Sequence, residues 1–115
     1  MLKKENRLTT TFEFNVTRKY GQRFYGFYFS GNVVKPTKYS GPTKVGIVVS
    51  NKIHKSAAKR NRIKRLFRQT VMENLDRMGI SLWWSIYPKI VCLGADYEKI
   101  SSDFNKALQK ISLPN

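Results

Sequence analysis

The hydrophobic period of this chain changes near residue 56, and that change restricts the folds open to it. Residues 44–50 (KVGIVVS) are almost continuously apolar, the pattern of a strand covered on both faces. After NKIHKSA, apolar residues recur with helical spacing at Ile63, Leu66, Phe67, Val71, Leu75 and Met78. The spacing predicts a helix from about residue 56 or 57 to about 78, closed by Gly79. A strand feeding a long helix with one buried stripe requires a sheet for that helix to lie on, so a layered architecture follows. Six of the ten residues 59–68 are Lys or Arg. On the helical wheel Arg60, Asn61, Lys64, Arg65 and Arg68 share an arc of about 140° beside the apolar stripe, with Arg62 on its other flank. Like charges four apart, Arg60 with Lys64 and Lys64 with Arg68, cost a few tenths of a kcal/mol each until an anion covers them.

The other elements follow from the same patterns. Threonines 9, 10 and 11 offer an N-cap, and Phe12, Val16 and Tyr20 then recur every four residues, predicting a helix of about ten residues ending at Gly21, with Phe14 facing elsewhere. RFYGFYF, residues 23–29, reads as one strand with aromatic rings on both faces, and KPTKYSGP, residues 35–42, as a loop. The strand at 44–50 is expected to be central. Residues 80–87 (ISLWWSIY) fit no single pattern, with Trp83 and Trp84 capping the core, and KIVCLG after Pro88 reads as a third strand. Tyr97, Ile100, Phe104, Leu108 and Ile111 predict a last helix from about 96 to 111. The order is α, β, β, α, β, α with room for one more short strand. At 115 residues, 41% of them hydrophobic, the chain fits a single domain over 1–115 with its own core.

The formal charge is +15, and its distribution is uneven. Residues 14–72 contain fourteen Lys and Arg and no Asp or Glu, whereas residues 73–115 contain five basic and five acidic side chains. A surface so one-sided repels itself unless an anionic partner covers it, and nucleic acid is the partner class that fits. No basic amphipathic segment carries the aromatic-rich face needed to enter a membrane, and no apolar stretch has the length to span one. Without an apolar leader in MLKKENRL, a cytoplasmic location is expected. Cys92, the one cysteine, lies in the apolar run IVCL and reads as a buried thiol; with His54 as the one histidine, no metal-ligand set is expected. His54 itself is expected to be exposed or to contact phosphate. The seven carboxylates form no catalytic constellation. A solvated basic face with only a solubility role is the plain alternative, which 59 residues without an acid weigh against. The rings at 24–29, with Phe14, supply stacking surface for unpaired bases, about half of them being needed for the core.

KVGIVVSNK followed by KSAAKRNRIKRLFRQ resembles the protein subunit of bacterial ribonuclease P, in the spacing of Ala57, Arg60, Asn61, Lys64, Arg65 and Arg68. Arg7-Leu8, Phe14 and Gly21 extend the likeness. The resemblance implies an α+β fold: a two-layer α/β sandwich with a mixed sheet and helices, like the second domain of a ribosomal protein, with a left-handed βαβ crossover into the basic helix. Strand twist alone predicts a right-handed one. It also implies an accessory subunit of an endonuclease that removes the 5′ leader of precursor tRNA, in which the RNA subunit carries the chemistry and binds Mg2+ while the protein binds no cofactor. The implied partners are the catalytic RNA and precursor tRNA, with the protein a monomer in the ribonucleoprotein. Lys52, Arg60, Asn61, Arg62, Lys64, Arg65 and Arg68 would contact the catalytic RNA. A cleft between the first helix and the sheet would hold the leader through Phe14, Arg18 and Tyr28, with Arg18 standing where the family commonly has a second aromatic. Pro88-Lys89 likewise stands where the family often has an acidic residue. Charge alone also suits a structural RNA-binding protein of the ribosomal type. A DNA-binding module using residues 56–72 would lack short base-reading side chains on its polar face.

Overall fold

Three α-helices and four strands make up the computed structural model, which describes residues 2–114: α1 (Thr11–Tyr20), β1 (Gln22–Tyr25), β2 (Phe29–Val34), β3 (Lys44–Ile47), α2 (Ala57–Asn74), β4 (Trp83–Pro88) and α3 (Tyr97–Lys110). The strands form one mixed sheet in the order β1-β2-β4-β3. β1 with β2 and β2 with β4 are antiparallel, and β3 with β4, joined through α2, are parallel.

Strand alternation divides the sheet into two working faces. Phe24, Phe29, Val33, Val45, Trp84 and Ile86 join the buried core with Ile63, Phe67 and Val71 of α2 and Ile100 and Phe104 of α3. Phe24 sits edge-on to Trp84 at 5.0 Å and to Phe104 at 5.7 Å, so rings from three elements lock the layers. The stripe read from the sequence is the one α2 buries. Its last turn tightens into a 3₁₀ segment (Leu75–Arg77), and Gly79 at φ +87° turns the chain away, a conformation open to glycine without strain. The opposite sheet face carries α1, whose N-cap is a reciprocal box: Thr10 Oγ1 accepts from the Glu13 N–H while Glu13 Oε1 accepts from the Thr10 N–H.

Three strand expectations are corrected. Residues 23–29 are two strands rather than one: the Gly26 N–H donates to Phe29 O at 3.0 Å, and Asp103 of α3 takes the Phe27 and Tyr28 N–H groups at 2.9 Å each, closing a hairpin. β3 is an edge strand, not a central one. Its apolar run reflects two covered faces, Val45 toward α2 and Gly46 beneath α1, and its outer edge is paired by the Leu8 N–H donating to Val45 O at 3.0 Å. The third expected strand is displaced: Ile90–Gly94 is a 3₁₀ helix, with Ile90 62% and Val91 40% exposed, and the strand is WWSIYP before it. Trp84 and Ile86 point to the helices from that strand, so Trp84 is core rather than a cap, and Trp83 joins Leu8 and Val34 under α1. In α1 the stripe that located the helix packs only in part: Val16 meets the Leu8, Val34 and Trp83 cluster, but Phe12 and Tyr20 are exposed, whereas Glu13 and Thr17 are buried.

Candidate nucleic-acid interface

α2 begins where the Ser56 hydroxyl accepts the Lys59 N–H at 3.4 Å, and its first three turns carry the dense charge. Burying Ile63 and Phe67 against the sheet forces the intervening residues outward, so Asn61, Arg62, Arg65 and Arg68 are exposed and Lys64 and Arg60 half-buried. Lys52, in the turn after β3, is exposed as well. Among the described residues the one ion pair is Lys44 Nζ with Glu13 Oε2 at 2.8 Å, on the other side of the sheet. Among the described residues, then, no cation of α2 is ion-paired. Two have neutral partners: Arg60 Nη1 donates to the carbonyls of His54 (2.9 Å) and Lys55 (2.8 Å), and Arg62 Nη2 to that of Ala95 (3.1 Å). Donors of this kind suit phosphate oxygens. Among the described residues no group of three or more His, Cys, Asp or Glu gathers to hold a metal.

On the other face α1 lies across β2 and β4. Phe14 is half-buried against Leu8, Val34 and Trp83, and a Cβ on Gly46 would come within 2.3 Å of its ring, so glycine is what lets α1 approach β3. One turn on, Arg18 is exposed and donates to Asn15 Oδ1 at 2.7 Å. Beside α1 the same sheet face presents half-buried Ser30 and Tyr87, with Asn32 buried between the strands and Tyr25 exposed on β1. Tyr28 is elsewhere. It packs against the main core, meets Phe27 edge-on at 5.0 Å and lines a hollow with Asp96, Lys99 and Asp103 of the α3 side. The structure thus brings Phe14 and Arg18 together and not Tyr28. Tyr87 lies on the Trp83 side of β4, as the alternation in WWSIY requires.

Of the rings at 24–29, Phe24 and Phe29 are core, Tyr25 and Phe27 exposed, and Tyr28 between the two. Cys92 is buried, as its apolar run implied; desolvation pushes its thiol up to about 11, and Sγ donates to Tyr28 O at 2.9 Å, so it is an inert core group. His54 is half-buried, its Nδ1 accepting the Ser56 N–H at 2.9 Å. No helix among the described residues is long and apolar enough to cross a membrane.

A family model described as Ribonuclease P matches residues 2–112. The ribonuclease P protein component of a Pseudanabaena species is 31% identical over 112 residues, covering 96% of this chain and 94% of its own length. That of a Nitratiruptor species is 32% identical over 105 residues, 90% of each chain. Among solved structures, the Staphylococcus aureus RNase P protein superposes with a TM-score of 0.83 at 19% identity, covering 97% of this chain and 100% of that one. The Thermotoga maritima RNase P protein superposes at 0.78 and 22%, covering 92% and 97%.

Proposed function

This chain belongs to the bacterial ribonuclease P protein family, and on that premise we propose that the exposed face of α2 is the surface that docks the ribonuclease P RNA. The protein is the accessory component of an endoribonuclease whose family function is tRNA processing, and its partner is that RNA. One observation carries the assignment of the face: Asn61, Arg62, Arg65 and Arg68 stand exposed, as does Lys52 in the turn after β3, and no carboxylate pairs with any of these cations among the described residues. Each phosphate neutralised there releases counterions, which turns a self-repelling helix face into a favourable interface. Lys64 contributes from the flank, and Arg60 holds the loop that leads into the helix.

The second surface is the groove between α1 and the open part of the sheet, and its ligand in this reading is the single-stranded 5′ leader of precursor tRNA. Phe14 supplies a partly exposed ring, Arg18 a planar cation that pairs with phosphate or stacks on a base, and Tyr87 a half-buried ring on the same sheet face. Tyr28 lies on the α3 side and is left out of this groove. The protein brings no catalytic group: the RNA carries the bond cleavage and the Mg2+ it needs, and the protein's guanidinium, ammonium and amide groups suit phosphate rather than a divalent cation. The chain acts as one domain and one copy, in the cytoplasm. The test is leader removal by a bacterial ribonuclease P RNA at low magnesium, with and without the protein. Stimulation is expected, and its absence would overturn the reading.

A further inference from the structure

The loop from β3 into α2 forms a second concave feature against the 3₁₀ helix Ile90–Gly94: a cavity of about 330 Å³ lined by His54, Lys59, Arg62 and Leu93. That is the small end of the roughly 300–1,000 Å³ range of sites that hold one small molecule. Its walls are preset. Arg60 clamps the carbonyls of His54 and Lys55, the Ser56 N–H fixes the His54 ring through Nδ1, and Ala95 O holds the Arg62 guanidinium. An Nδ1 that accepts carries no proton, so the neutral ring keeps its own on Nε2 as a donor. The nearest acid in sequence, Asp96, is engaged in capping α3, its Oδ1 accepting the Lys99 N–H at 3.0 Å. Two cations, an aromatic ring and an apolar floor therefore meet with no carboxylate among the lining residues.

We propose that this cavity takes one unpaired nucleotide of RNA, its phosphodiester between Lys59 and Arg62 and its base against His54 and Leu93. The inference rests on the family reading above, because the cavity opens beside the same helix face. Splayed bases are held by stacking on rings, His among them, and by charge on the adjoining phosphate. The strand belongs either to the catalytic RNA or to the precursor tRNA, and the chemistry is the same in both.

Two variants test it in the reconstituted holoenzyme. His54→Asn keeps an acceptor for the Ser56 N–H and removes the ring; Lys59→Ala removes an exposed charge, with Lys55→Ala as a charge removed outside the cavity. Affinity is measured against salt for the catalytic RNA and, with that RNA bound, for precursor tRNA. The expected results are a loss of at least about five-fold for His54→Asn with an unchanged salt slope, and a slope flatter by about one unit for Lys59→Ala. Lys55→Ala should change less than Lys59→Ala. The RNA that shows the loss identifies the strand. If His54→Asn and Lys59→Ala bind both RNAs like the unaltered protein, or if Lys55→Ala matches Lys59→Ala, the pocket is overturned while the family interface stands. If the unaltered protein binds neither RNA, the underlying reading fails instead. Should His54→Asn unfold, Lys59→Ala against Lys55→Ala still decides.

Discussion

Glu13 accepts from the N–H groups of Thr9 and Thr10 and from Lys44 Nζ, and so ties the start of α1 to β3. Burial raises its pKa, but the bonds from Lys44, Thr10 and Thr9 outweigh burial and hold the carboxyl at about 2 rather than the usual 4.5. A depressed carboxylate stabilises the fold fully above its unfolded value, and that contribution is lost as pH falls from about 4.5 to about 2. Glu13→Gln should therefore lower stability at pH 7 by about 2 kcal/mol, and its deficit against the unaltered protein should shrink across that window in urea unfolding. Among the arginines, Arg65 and Arg60 separate two roles. Arg65→Ala should weaken binding to the catalytic RNA and flatten the salt slope by about one unit with an unchanged Tm. Arg60→Ala frees the carbonyls of His54 and Lys55, so it should lower Tm as well as affinity, read by calorimetry alongside the binding titration.

Among the elements, α1 depends on a glycine that lies in another strand. Gly46→Ala places a Cβ against the Phe14 ring, and lifting α1 should cost about 1–3 kcal/mol by chemical denaturation. Phe14→Ala should leave binding of the catalytic RNA unchanged and lower the preference for precursor over mature tRNA; equal losses for both tRNAs would remove the leader from this groove. Both long helices were legible in the sequence because each buries one stripe, as Ile63 with Phe67 and Ile100 with Phe104 do, and a stripe is a local signal. The strands were less so. Gly26 and Asp103 are 77 residues apart in sequence, and only their meeting shows that RFYGFYF turns back on itself. IVCL looked like a strand because apolar runs of that length carry no period, whereas the alternation that mattered lay in WWSIY. The site followed the same division. Which cations α2 presents follows from spacing along one helix, whereas the placement of Tyr28 and Tyr87 depends on which side of the sheet a strand end faces.

At the scale of the whole molecule, the charge is polarised. The acid-free stretch places its densest cations on α2, whereas Asp96, Glu98 and Asp103 gather on the α3 side. Such a molecule orients as it approaches a polyanion, which favours one docked pose. The most direct measurement is the affinity of the protein for ribonuclease P RNA across a salt series, beside a variant with Arg62, Arg65 and Arg68 changed to Ala. About six neutralised phosphates predict a slope of log K against log salt near −4 to −5, made shallower by about two units in the variant. A shallow slope, or one that the variant leaves unchanged, would contradict the account.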